Sequence, residues 1–283
     1  MRARSAGAWL MDAATWCIVG LMLAPIGWLL WASLHLPGEQ ASAGEADGSA
    51  GEWRWRNYVD LWHQVDFFNY FANSLIVCGA ATLISTAFAA CAAYALARFQ
   101  FRGAKAVSMS ITTTQVVPGM LFFLPLYMLY RHIGDEWGVA MLDTRHGLVF
   151  LYVALFTPAS IWIMRGFFVS VPRELEEAAI LDGCSRLGAF VRVVLPLCAP
   201  GLIATATFVF LLAWDELFFA WVLTSSAEVQ TIPVGIRLFI NQFQNRVDLM
   251  MAAGAVATLP VMLVFFAGQR YFVQGLAAGA VKG

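Results

Sequence analysis

The sequence predicts an all-α membrane protein: six transmembrane helices, with a charged helix–Gly–helix insertion between the fourth and fifth. Three observations carry that prediction. The chain of 283 residues is 60% hydrophobic and only 12% charged, about half the charged share of a soluble domain. Charge-free apolar runs close to the ~20 residues of a bilayer crossing recur at 14–34, 67–97, 106–130, 147–164, 193–214 and 249–269. Against that background, residues 173–192 carry seven formal charges.

The elements follow in order. Residues 1–13 precede a first span at 14–34. Arg2 and Arg4 stand before it as in a signal peptide, and Ala41-Ser42-Ala43 is similar to a cleavage site. The apolar run is too long for a signal peptide and ends well before that site, so it reads as an uncleaved anchor. The outer loop 35–69 begins as a Gly-, Ala-, Ser- and acid-rich linker. It continues as WRWRNYVDLWHQV, 53–65, either a helix in the interface, where Trp and Tyr are favoured, or a docking surface for an external partner. The second span is 70–97, and the short basic inner loop 98–106 serves as a topology anchor. The third span is 107–130, the next outer loop 131–146, and the fourth span 147–168. That span passes Arg165, whose long side chain reaches the headgroups. The insertion occupies 169–198, the fifth span 199–224, an outer loop 225–247, the sixth span 248–270 and the tail 271–283. With the N-terminus inside, eleven of the seventeen lysines and arginines face the cytoplasm and six face out. This favours both termini and the insertion being cytoplasmic.

Within the insertion, Ser170 is a candidate cap and Pro172 suits a first turn. Glu174, Glu176 and Glu177 complement the positive end of a helix dipole. Gly183 ends this helix, since glycine accepts positive φ. Ser185 caps a second piece with Leu187, Phe190, Val191 and Val194 on one face, and Pro196 and Pro200 punctuate entry into the fifth span. Composition alone leaves an interfacial loop open. The glycine-broken amphipathic pattern, with Ala178 and Ala179 beside a glutamate, favours a surface that another protein approaches closely.

Several chemistries find no support. The five cysteines form no CxxC pair, so neither a disulfide framework nor a zinc site is indicated. No histidine has a partner at metal-ligand spacing. There is no GxxxxGK[ST], GxSxG or HExxH pattern, so any nucleotide chemistry belongs to another chain, and a net charge of −1 gives no indication of nucleic acid.

The spacing Glu177-Ala178-Ala179, three residues, Gly183, nine residues, Val193, one residue, Leu195-Pro196 resembles the signature loop of ABC importer permeases, with valine in the usual isoleucine position. QRYFVQGLAAGAVKG at the C-terminus, AWDELFFAWVL at 213–223 and YALARFQFRGAK at 94–105 resemble the maltose-type carbohydrate permeases, specifically the smaller of their two unlike subunits. Asp215 replaces the asparagine of that group's Trp-Asn-Glu segment. The resemblance covers 71–283 and marks an ABC permease domain.

It implies a bacterial inner-membrane transport subunit with no enzymatic activity and no cofactor of its own. A second permease chain, two copies of a cytoplasmic ATPase holding ATP and Mg, and an extracytoplasmic substrate-binding protein would complete the transporter. The charged loop becomes a coupling loop, with Glu177, Ala178, Ala179, Asp182, Gly183, Leu195 and Pro196 facing the ATPase. The tail residues Gly279, Lys282 and Gly283 would also reach it. Charges within a span are costly and face a cavity or a partner. Trp214, Asp215 and Glu216 thus read either as substrate path, binding sugar hydroxyls or lining a cavity, or as a structural hydrogen bond to a neighbouring helix. Competing functions are an ABC permease for glycerol phosphate or a polyamine, and an ion-coupled carrier using Asp215 and Glu216 as a relay. The absence of lysines inside the spans speaks against an anionic solute, and the signature loop speaks against a carrier that needs no ATPase.

Overall fold

The computed structural model describes residues 6–35, 53–64, 66–239 and 246–280. Among the described residues all regular structure is helical. In chain order the helices are α1 (Ala6–His35), α2 (Arg56–Gln64), α3 (Phe67–Arg98), α4 (Ala104–Val116), α5 (Phe123–Trp137), α6 (Arg145–Ser170), α7 (Arg173–Leu181), α8 (Arg186–Ala189), α9 (Leu195–Leu197), α10 (Ala199–Trp214), α11 (Phe218–Leu223), α12 (Ile232–Leu238) and α13 (Val247–Ala280). A 3₁₀ turn (Gly119–Phe122) precedes α5, and a π-helical turn (Phe190–Val194) joins α8 to α9.

Four helices, α1, α3, α6 and α13, are each long and apolar enough to cross a bilayer. The count becomes six if each of two bent pairs is one span: Ala104–Val116 with Gly119–Trp137, bent by 95°, and Arg186–Leu197 with Ala199–Trp214, bent by 75°. The segment expected as a single rod in the third span therefore has a sharp break. Its cause is local: Val117 is extended (φ −83°, ψ 124°) because the ring of Pro118 disfavours the α region for the residue before it. The fifth span is likewise shorter than expected. Helix α10 ends at Trp214, and α11 begins at Phe218. Sixteen residues rise only about 24 Å, less than the ~30 Å hydrocarbon core.

The chain divides into two compact units, one combining residues up to Phe68 with Gly235–Leu259, the other holding Asn69–Val234 and residues from Pro260. In the first unit, α2 is fastened to the end of α1. Asn57 Nδ2 donates to the Ser33 carbonyl (2.9 Å), the Ser33 and Tyr58 hydroxyls share a hydrogen bond (2.7 Å), and Arg54 N donates to the Leu34 carbonyl (2.7 Å). Leu61 is buried while Trp55, Val59 and Trp62 stay exposed, the amphipathic division read from 53–65. The linker half of that outer loop lies outside the described residues.

In the second unit the core gathers Ala93 and Tyr94 of α3, Met164 and Phe168 of α6, and Phe190, Val194 and Cys198. Helices α6 and α10 approach closely at Gly201, where a Cβ would sit 2.5 Å from Phe167 Cγ. Gly147 is equally constrained, because a Cβ there would collide with the Met141 carbonyl oxygen. Thr144 caps α6, accepting from Gly147 N (3.2 Å). Two expectations for the insertion shift by a few residues. Ser170 is the last residue of α6, its hydroxyl donating to the Phe167 carbonyl (2.7 Å) rather than capping. Pro172 occupies the cap position, and α7 begins at Arg173.

Candidate functional site

The 171–197 segment is a helix, a left-handed turn and a second helical piece. Glu174 and Glu176 lie in the first turn of α7. Past its end, Gly183 sits at φ +93°. Gly183 N donates to the Ile180 carbonyl (3.0 Å) and Cys184 N to the Ala179 carbonyl (3.0 Å), the paired bonds of a Schellman turn. Ser185 then caps α8, its Oγ accepting from Gly188 N (3.1 Å). Glu177, Ala178, Asp182 and Gly183 are exposed together, and Ala179 is partly covered. Around them Leu181 is 88% and Leu187 71% exposed.

Leu187, Phe190, Val191 and Val194 do not share the one face expected from the sequence pattern. Phe190 and Val194 are buried, but Leu187 and Val191 are exposed, because the π turn changes the helical phase between them. Leu195 packs with the core and Pro196 is exposed; both lie in α9, just before α10. Gly279 falls in the last turn of α13, and Lys282 and Gly283 lie outside the described residues.

From behind, α7 is held to the end of α3 by a cluster that the sequence reading missed. The Arg98 guanidinium lies 3.1 Å from Glu176 Oε2, with side chains only 6% and 12% exposed. The Tyr94 hydroxyl donates to the same carboxylate. Arg98 also donates to the Val171 carbonyl (2.9 Å) and Arg173 to the Ala97 carbonyl (3.3 Å). The available signal was Tyr94 and Arg98 at i,i+4, a polar pair on one face at the end of an apolar helix.

The break at Val117-Pro118 and the interruption between α10 and α11 meet at a cavity of about 390 Å³. Thr114 and Gln115 at the end of α4 reach it, with Phe156 of α6, Phe208 of α10, Phe218 of α11 and Glu216. Irregular backbone at membrane depth is tolerated where it is buried in protein or lines a cavity. Glu216 accepts from Phe219 N (2.9 Å), Ala220 N (3.0 Å) and the Tyr152 hydroxyl (3.0 Å). It fixes the start of α11 and ties it to α6. Asp215 is exposed and is not among the lining residues. Trp214 is buried, stacked on Phe210 (5.3 Å) and edge-on to Phe71 (6.1 Å), so its ring serves the core. The polar run Thr112-Thr113-Thr114-Gln115 before Val117-Pro118 was the readable sign of this cavity.

Just before the start of α6, Asp143 (φ 54°) ties two loops together. Its Oδ1 accepts from Ser225 N (2.8 Å) and Ser226 N (3.0 Å), and its own N–H donates to the Leu223 carbonyl (2.8 Å). Burial acts to raise the carboxyl. The amides of Ser226 and Ser225, with the Ser226 hydroxyl, outweigh it and hold the carboxyl below its ordinary value. A depressed carboxylate contributes stability in full above the ordinary range and loses it as pH falls through the lowered value. Asp143→Ala is expected to cost about 1.5 kcal/mol, the low end for bonds to a charged group because the site is partly exposed. Asp143→Asn should keep most of that stability at neutral pH while flattening the acid limb of a melting-temperature profile.

Residues 66–278 match the family model described as "Binding-protein-dependent transport system inner membrane component". The chain belongs to that family. The permease is 38% identical over 217 residues to the diacetylchitobiose uptake system permease protein DasC of Streptomyces coelicolor, covering 77% of this chain and 76% of that one. It is 32% identical to the trehalose transport system permease protein SugB of Mycobacterium tuberculosis, covering 100% of both chains. In fold, the permease matches a chain of a bacterial ABC transporter involved in import of the acidic polysaccharide alginate. That match has a TM-score of 0.75 at 22% identity and covers 96% of this chain and 100% of that one.

Proposed function

We propose that this permease is the transmembrane subunit of an ATP-driven ABC importer that carries a di- or oligosaccharide into a bacterial cell. It pairs with a second, unlike permease and receives substrate from an extracytoplasmic binding protein. Two copies of a cytoplasmic ATPase, which hold ATP and Mg, drive it. The reading that both termini and the 171–185 loop face the cytoplasm rests on the lysine and arginine asymmetry. The observation that carries the proposal is the shape of that loop. Its exposed surface of Glu177, Ala178, Asp182 and Gly183 is backed by the Arg98–Glu176 pair, so a push on α7 reaches α3 as well as α6. Sugar as cargo is supported by the names of the relatives DasC and SugB. A cavity walled by phenylalanines beside Thr114 and Gln115 also suits rings with hydroxyl edges.

The test is uptake into proteoliposomes containing the complete transporter. ATP-dependent accumulation of labelled trehalose or diacetylchitobiose is expected, without accumulation of glycerol 3-phosphate or spermidine. Uptake driven by an ion gradient without ATP would sink the proposal. In the same assay Gln115→Ala is expected to raise the apparent KM about two- to twelvefold, the worth of one hydrogen bond at roughly 0.5–1.5 kcal/mol. Binding-protein-stimulated ATP hydrolysis should stay unchanged. An unaltered KM would remove this cavity from the substrate path.

A further inference from the structure

We propose that the cavity formed by the end of α3, the start of α4 and α6 binds a phosphate oxyanion, supplied by the headgroup of an acidic phospholipid. The cavity has a volume of about 390 Å³ and is lined by Lys105 and Arg165, the Ser108 and Thr112 side chains, and the apolar Leu96 and Met109. No carboxylate lines it. Three other cations at this end of the unit have partners. Arg98 pairs with Glu176, Arg173 donates to the Ala97 carbonyl, and Arg186 lies over the Phe99 ring.

Lys105 and Arg165 differ. Among the described residues neither makes an ion pair. Arg165 Nε is shut off from solvent with no acceptor. The one contact of its guanidinium is the Trp162 ring, 5.3 Å away. A guanidinium N–H shut off from water without an acceptor is costly, and an anion in the cavity removes that cost.

The donor set selects the anion. A planar guanidinium, a lysine ammonium and a serine hydroxyl converge as they do around phosphate. The site lies at the ends of apolar helices, with Leu96 and Met109 beside the cations. A ligand with a charged head and an apolar body fits both halves, and basic pockets between transmembrane helices bind acidic headgroups in this way. Thr112 contributes less, since its hydroxyl already donates to the Ser108 carbonyl (3.0 Å).

The test uses the full chain purified in mild detergent from membranes containing phosphatidylglycerol. Native mass spectrometry counts the retained lipid, with phosphatidylcholine as competitor. Wild type is expected to retain phosphatidylglycerol in preference. Arg165→Gln and Lys105→Gln should each weaken that preference about fivefold, the effect of one basic residue beside an acidic headgroup. Lys105→Arg should preserve it, and Arg102→Gln, in the same loop but outside the cavity, should leave it unchanged. A second arm titrates inorganic phosphate into the delipidated chain and follows the melting temperature. Protection lost in the same two variants, without lipid preference, would assign the site to a soluble phosphate. Wild-type lipid retention in both variants, with no protection by phosphate, would overturn the proposal. Should Arg165→Gln fail to insert, Lys105→Gln, at an exposed helix start, decides alone.

Discussion

Glu176→Ala is expected to be among the most destabilising single changes in the second unit. It leaves the Arg98 guanidinium, 6% exposed, facing nothing but a carbonyl, and removes the acceptor of the Tyr94 hydroxyl. Breaking a buried pair from one side costs about 3–5 kcal/mol, whereas replacing both partners by apolar residues is often neutral. The double variant Arg98→Met/Glu176→Leu should therefore recover most of the melting temperature lost by Glu176→Ala. Function should separate from stability in the same pair. The double variant restores packing without the ion pair and keeps α7 seated, while Tyr94→Phe removes one hydrogen bond and costs less. Equal melting temperatures for wild type and Glu176→Ala would show that the pair contributes nothing to the fold.

Ala178→Asp is expected to abolish coupled transport while sparing the fold. Ala178 is exposed, so an aspartate there meets only water in the isolated chain. If α7 seats in the ATPase, the new carboxylate is buried unpaired on assembly. A penalty of about 3–5 kcal/mol weakens association by more than about a hundredfold. Gly183→Val reaches the same end by geometry, since a β-branched residue at φ +93° is a genuine outlier and the Schellman turn must open. Co-purification of the ATPase and substrate-stimulated hydrolysis are the readouts. Normal stimulation in both variants would remove the coupling role from the loop, and a lowered melting temperature of the free Ala178→Asp chain would show that the residue serves packing instead.

Much of this was legible in the sequence, for a plain reason. Long charge-free runs and a charge-dense insertion are properties of composition, so the long helices α1, α3, α6 and α13 and the turn at Gly183 were readable directly. The break at Val117-Pro118 was missed because counting apolar residues overrode the one proline that mattered. The end of α10 at Trp214 was harder to read. Glu216 looked like an acid lying in a continuous helix, whereas its carboxylate starts the next one by accepting the Phe219 and Ala220 amides. Tyr94 and Arg98 at i,i+4 mark a polar face, but Glu176 lies 82 residues from Tyr94, and no local pattern names the partner at that range.

The π turn at Phe190–Val194 gives the signature's spacing a physical meaning. Leu195 N bonds to the Phe190 carbonyl, five residues back, so this stretch holds one more residue than a regular α-turn. The nine residues between Gly183 and Val193 include that surplus. Losing a residue inside the turn would only relax it to ordinary α-helix with the flanking phase kept, whereas losing one between Gly183 and Phe190 would rotate everything beyond it by about 100°. Phe190 and Val194 could then no longer both face the core while the loop keeps its outward aspect. The interval before the turn thus works as a phase setting between two surfaces that must point in different directions. Within it, a change of length is more damaging than most changes of side chain.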